Sequence, residues 1–219
     1  MNNFFNKISR AGLILAAIGI FLLVVSVPDT LVSFKAAKSF EDALYGDVEI
    51  NAGDHVQGQV PYLLDHFAVE QTRTENKSNN SVTPWKTSRR YYVMPCGERF
   101  VGVSVGSSSL SVAEDLVDQT WGFLSGGADP TAELELDCRV VEMDEELAEM
   151  FRDELRDYYD FTDQEIEDMG PLLMMEGRAF TTIRVFSGVG LGFVVLGLIV
   201  LVRRWTKVSK VYQQNQDMM

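Results

Sequence analysis

Residues 185–202, VFSGVGLGFVVLGLIVLV, hold 18 positions without a charge, between Arg184 and the cluster of Arg203, Arg204 and Trp205. As an α-helix such a stretch is about 27 Å long, close to the roughly 30 Å hydrocarbon core of a bilayer. A helix on the surface of a soluble domain shows a polar face within two turns, and this run shows none. It reads as a transmembrane helix, and the rest of the chain has to be arranged around it.

Residues 11–27, AGLILAAIGIFLLVVSV, form a second uncharged run, 17 residues long and preceded by Lys7 and Arg10. The rival reading is a cleaved signal peptide, with a basic start, an apolar middle and small residues before the cut. The run is longer than such a middle segment, and Val25, Ser26, Val27 and Pro28 offer only a poor cleavage site. It therefore reads as an uncleaved span. Basic residues flank both spans on their terminal sides: Lys7 and Arg10 before the first, Arg203, Arg204, Lys207 and Lys210 after the second. Such flanks stay cytoplasmic. Lys35, Lys38 and Arg184 soften this bias without reversing it.

The resulting plan has a cytoplasmic N-terminus (1–10), a first span (11–28), an extracytoplasmic domain (29–182), a second span (183–202) and a basic cytoplasmic tail (203–219). Charge follows the same division. The overall −13 separates into 31 acidic and 12 basic residues within 29–182, a net −19, against seven basic and one acidic elsewhere, a net +6. A domain this acidic repels phosphates, so nucleic acid is excluded as a partner. It suits a solvated domain that meets cations or a basic partner.

Small residues recur within the spans at helix-packing spacing. Gly188 and Gly192 make a GxxxG in the second, near Gly190 and Gly197, and Gly12 and Ala16 make a small-xxx-small pair in the first. Small residues let membrane helices approach closely, so these are the expected contact points between the spans or between copies. Neither uncharged run, 11–27 or 185–202, carries an ionisable residue, which argues against an ion or proton pathway through them.

Between the spans, residues 29–43 read as a continuation of the first helix, broken at Tyr45, Gly46 and Asp47. Extended signals follow at 48–72, and a polar loop at 74–81 carries N-x-S sequons at Asn76 and Asn79. Residues 89–105 read as a hairpin that turns at 95–98. Ser111 and Glu114 are spaced as a capping box for a helix reaching about Leu124. Residues 131–143 alternate cleanly, with Leu134, Leu136, Cys138 and Val140 on one side. Asp144 caps a helix with an apolar stripe of Leu147, Phe151, Leu155 and Tyr158, and Thr162 with Glu165 caps a shorter one. Residues 172–182 lead into the second span. About five strands and two or three helices predict an α+β domain, built on a small curved sheet or an OB-like barrel.

Several groups bear on chemistry. Residues 102–106, GVSVG, match G-x-S-x-G, but Ser104 sits inside an alternating strand rather than on a strand-to-helix elbow, and so reads as an outward-facing strand serine. His55 and His66 each follow an aspartate and are the side chains around which a hydrolase or a zinc site would be built, although metal-ligand spacing is absent. Asp157, Asp160 and Asp163 lie in an acid-rich loop of the sort calcium favours, without the EF-hand spacing. They read first as a solvated acidic face, with calcium or the docking of a basic partner as the lesser readings. Cys96 and Cys138, the two cysteines, are a disulfide candidate in an oxidising compartment. No cofactor motif is present.

The layout, with GDHVQGQV at 53–60, RYYVMP at 90–95 and FVGVSV at 100–105 between two spans, resembles uncharacterised two-span membrane proteins of bacteria. The resemblance implies a bacterial plasma-membrane protein and carries no catalytic motif. The expected function is that of an accessory or assembly component. Its acidic domain would bind a partner or ligand, and its spans would contact lipid and another membrane protein or a second copy. An extracytoplasmic hydrolase and an acidic metal-binding domain are the alternatives.

Overall fold

The computed structural model describes residues 10–76 and 81–216. The expectations for residues 1–9, for Asn79, and for the side chains of Asn76 and Lys210 lie outside what is described. The chain divides into two compact units, one formed by its two ends (through Phe34 and from Ala179) and one by Lys35–Arg178.

The unit of the chain ends is a pair of long helices, α1 (Arg10–Ser33) and a C-terminal helix (Phe180–Gln216) that is α6 in chain order. Both are long and apolar enough to cross a membrane. They run antiparallel, since Gly12 lies against Leu201 and Gly19 against Gly190. At Gly19 the backbones almost touch: a Cβ there would sit 2.6 Å from the Gly190 carbonyl oxygen. One on Gly197 would sit 2.8 Å from the Ala16 nitrogen and from the Gly12 oxygen. Gly12 and Ala16 thus lie at the contact. Gly188 and Gly192 do not, because neither has an atom within 4 Å of the Cβ position. Helical periodicity explains the difference. Gly190 and Gly197 are two turns apart on one stripe, whereas Gly188 and Gly192 are each two residues from Gly190, about 200° around the helix. Toward Ser33 the contact becomes polar: Ser187 Oγ lies 2.8 Å from Ser26 Oγ and 2.5 Å from Thr30 Oγ1. Arg184 donates to the Ser33 hydroxyl at 3.0 Å and to its carbonyl.

In the second unit, β1 (Lys38–Ser39) precedes a short helix, α2 (Phe40–Tyr45). The first helix continues past residue 29 as expected, but only to Ser33; the Ser39 hydroxyl accepts from Asp42 N at 2.9 Å and starts α2 afresh. Strands β2 (His55–Gln59), β3 (His66–Thr72), β6 (Lys86–Cys96), β7 (Arg99–Gly106), β8 (Glu135–Glu142) and β9 (Leu173–Gly177) complete a seven-stranded sheet. Its order is β1-β2-β8-β9-β7-β6-β3, and a separate two-stranded ladder joins β4 (Glu75–Asn76) to β5 (Ser81–Val82). The β1/β2 and β7/β9 pairs are parallel and the others antiparallel. The domain is α+β as expected, with a seven-stranded mixed sheet where about five strands in a small curved sheet or OB-like barrel were expected.

The sheet is covered on both faces. Tyr92, Met94, Val101, Val103, Val105, Cys138, Val140 and Met175 pack with Ala113, Leu116 and Val117 of α3 (Leu110–Leu124). On the other side Leu64, Val93 and Phe100 pack with Phe151 and Leu155 of α4 (Glu145–Tyr159) and Ile166 of α5 (Asp163–Asp168). Burial on both faces is why β9 escapes a period-2 reading: its Leu173, Met174 and Met175 are all buried.

Helix starts follow local chemistry. Asp144 caps α4 by accepting from Leu147 N at 2.9 Å, and Thr162 and Glu165 form a reciprocal capping box on α5. The expected box at Ser111 is not formed. A 3₁₀ turn at Ser107–Ser109 starts α3 earlier, and Glu114 pairs with Arg90 instead. The α4 stripe also turns. Tyr158 is 73% exposed, while Tyr159, four residues after Leu155, packs inward with its hydroxyl accepting from Asp65 N at 3.3 Å.

Candidate functional site

Two left-handed turns build the main concavity of this unit. Gly46 (φ 73°) ends α2, and Gly97 (φ 62°) turns β6 into β7. The turns dock through backbone alone, with Gly97 N donating to the Leu44 carbonyl at 2.9 Å. Both glycines have the positive φ that side chains disfavour, and a Cβ on Gly97 would lie a tight 3.2 Å from Gly46 Cα. Below it Arg99 donates to the Ile50 carbonyl. Phe161 and the Asp168–Met169 end of α5 close the far wall, leaving a groove of about 940 Å³.

The groove is acidic at its margins and apolar at its floor. Glu49, Glu98, Glu165 and Asp168 line it beside a single base, Arg99, while Ala43, Ile50 and Cys96 form the buried side. Glu165 is held below the usual carboxylate range, first by the Thr162 amide at 2.8 Å and then by the Thr162 hydroxyl. Burial pushes the Cys96 thiol up, against the pull of Arg99. A smaller depression of about 260 Å³ adjoins across Leu44 and Tyr45, lined by Glu41 and Asp129 together with Pro61 and Tyr62. Burial, then Asp129 and Tyr45, raise the Tyr62 hydroxyl above its usual range. Tyr45 itself stands 66% exposed on the divide.

The side chains singled out in the sequence fall elsewhere. Ser104 is buried rather than outward-facing, with its backbone paired to Tyr91 and Glu176 and its hydroxyl accepting from Gly177 N at 3.4 Å. A residue inside a central strand is not on a nucleophile elbow. His55 is 5% exposed, with Nε2 2.6 Å from Asp137 Oδ1 and Nδ1 3.3 Å from the Lys35 carbonyl. That arrangement ties β2 to β8 and to the start of the unit. His66 lies on edge strand β3, with β8, β9, β7 and β6 between it and His55, so the two do not form one site.

Asp163 takes Arg156 at 2.6 Å, and Asp160 is the left-handed cap of α4 (φ 56°). Among the described residues, no three His, Cys, Asp or Glu side chains, Asp157 included, are gathered to hold a metal. Cys96 and Cys138 are both buried free thiols, with β7 and β9 between their strands, and the disulfide considered from sequence is not formed.

The groove is not legible in the sequence because its carboxylates come from three separated segments, around Glu49, Glu98 and Glu165–Asp168. Gly46 and Gly97 were the available signals, as turn glycines beside acids.

Comparison with known proteins gives no curated protein and no solved structure that matches the chain. Residues 2–203 match the model of a family described as a domain of unknown function, DUF8577, and the chain belongs to that family.

Proposed function

We propose that the protein is an integral membrane protein whose two spans are residues 11–28 of α1 and 183–202 of α6, with both termini cytoplasmic and residues 29–182 on the extracytoplasmic side of a bacterial plasma membrane. In this reading it is an accessory or assembly component of a membrane complex. The helix pair serves as anchor and assembly surface, and the acidic unit meets the partner or ligand.

The observation that carries the reading is the packing of the helix pair. Only 17% of the apolar window of α1 and 11% of that of α6 are buried, and Phe21, Val24 and Leu191 project outward at 66%, 68% and 57% exposure. Two helices that touch through glycines and turn their large apolar side chains away from each other need an apolar solvent around them. The compact unit Lys35–Arg178 supports the second half of the reading, because it holds 30 acidic and 12 basic residues, a net −18.

Gentle detergent extraction of tagged protein, followed by the mass and identity of what accompanies it, tests this function. A stoichiometric second protein, or a homogeneous homo-oligomer, is the expected result. A bare monomer at every protein concentration overturns it.

A further inference from the structure

We propose that the two depressions that meet at Tyr45 bind an extended basic segment of a partner protein, its Lys or Arg side chains lying on either side of the Tyr45 ring. This names the partner chemistry of the accessory role proposed above and rests on that reading.

Three features select this occupant. First, the carboxylates are unspent: among the described residues Glu41, Glu49, Glu98 and Asp129 make no ion pair, and Asp168 accepts only an amide hydrogen of Gln164 at 3.0 Å. The one basic side chain of the concavity, Arg99, is committed to the Ile50 carbonyl. Second, the carboxylates are spread. They line two depressions of about 940 and 260 Å³ that share only Leu44 and Tyr45, and no three of them gather around one point. A divalent cation needs convergent oxygens. A row of separated charges instead complements a chain that presents cations at intervals. Third, the divide between the depressions is an exposed aromatic ring, which attracts a Lys or Arg laid across its face. The half-buried Leu44, Val48, Phe161 and Met169 of its lining receive the aliphatic stems of such side chains.

The test is fluorescence anisotropy of the full-length protein in detergent with a labelled peptide of alternating Lys and Ala. Saturable binding that weakens as ionic strength rises is expected. Replacing Glu49→Gln and Glu98→Gln together weakens it about fivefold, in line with two exposed charge pairs. Tyr45→Ala weakens it about two- to fivefold, as loss of an exposed cation–π contact does, and Tyr45→Phe restores it. Glu146→Gln with Glu149→Gln, both exposed on α4, leaves binding unchanged.

Three results overturn the proposal: a groove variant that binds like wild type, an equal loss in the α4 variant, or spermine displacing the peptide and binding with the same dependence on Glu49 and Glu98. The second would reduce the effect to net charge, and the third would make this a polyamine site. A co-extracted partner that the groove variant still holds would sink this inference alone, whereas groove-dependent peptide binding by a protein that stays a bare monomer at every concentration would sink the accessory role alone.

Discussion

At Gly19 a single hydrogen decides how closely two helices run. A Cβ there meets the Gly190 carbonyl at 2.6 Å and Val194 N at 2.7 Å, both main-chain atoms that cannot step aside. Gly19→Val is therefore expected to destabilise the helix pair by about 1–3 kcal/mol, as overpacking does. Gly188→Val, on the open side, is expected to change stability by less than about 1 kcal/mol. Thermal unfolding of the purified protein in detergent reads both, and equal effects would refute the observed packing. Cysteine reactivity gives a second residue-scale expectation. Burial pushes the Cys138 thiol far above its ordinary range, and the thiolate is the reactive form. Maleimide should leave Cys138 unlabelled in the native protein and label it once denaturant is added. Labelling at equal rates in both states would show that β8 is not buried as described. The residue scale was only partly legible in the sequence. Gly12 and Ala16 were readable as a contact pair, but the choice between Gly188/Gly192 and Gly190/Gly197 depends on which face of α6 meets α1, and a motif on one helix does not contain that information.

Elements whose ends are fixed by local chemistry were legible. Asp144 and Thr162 cap their helices as their spacing implies, because a cap is a contact three residues long. Thr162→Ala is accordingly expected to cost about 1 kcal/mol in denaturant unfolding, and Ser111→Ala only a few tenths, since no cap forms there. Reversal of that order would restore the capping-box reading of Ser111. Elements fixed by distant partners were not legible. Strand β9 reads as the approach to a span until it is seen between β8 and β7, where both its faces are covered.

The turn before β2 adds a pH dependence. Burial alone would raise the Asp54 carboxyl, but Lys38 at 2.6 Å and the Asn51 amide at 2.9 Å outweigh it and hold it below the usual carboxylate range. A depressed carboxyl stabilises the fold above its unfolded value of about 3.9 and loses that contribution as pH falls through its folded value. The urea midpoint should fall as pH drops below about 4. Asp54→Asn should start lower at neutral pH and fall less. A variant that matches wild type across the whole range would remove this turn from the account.

For the molecule as a whole, the division of charge along the chain was the most informative sequence signal; the two compact units of the structure divide after Phe34 and before Ala179. The groove was illegible for the opposite reason: α2, the β6–β7 turn, α5 and the segment around Ile50 are far apart in the chain and meet only in the folded unit. Both the accessory role and the basic-peptide groove depend on one claim, that Lys35–Arg178 and the chain termini lie on opposite faces of a membrane. Proteolysis of sealed, right-side-out vesicles carrying a protein with a C-terminal tag tests it directly. The account predicts that protease added outside degrades the Lys35–Arg178 unit while the tag survives until the vesicles are permeabilised. Loss of the tag together with that unit from the same side, or release of the intact chain by an alkaline carbonate wash, would contradict it.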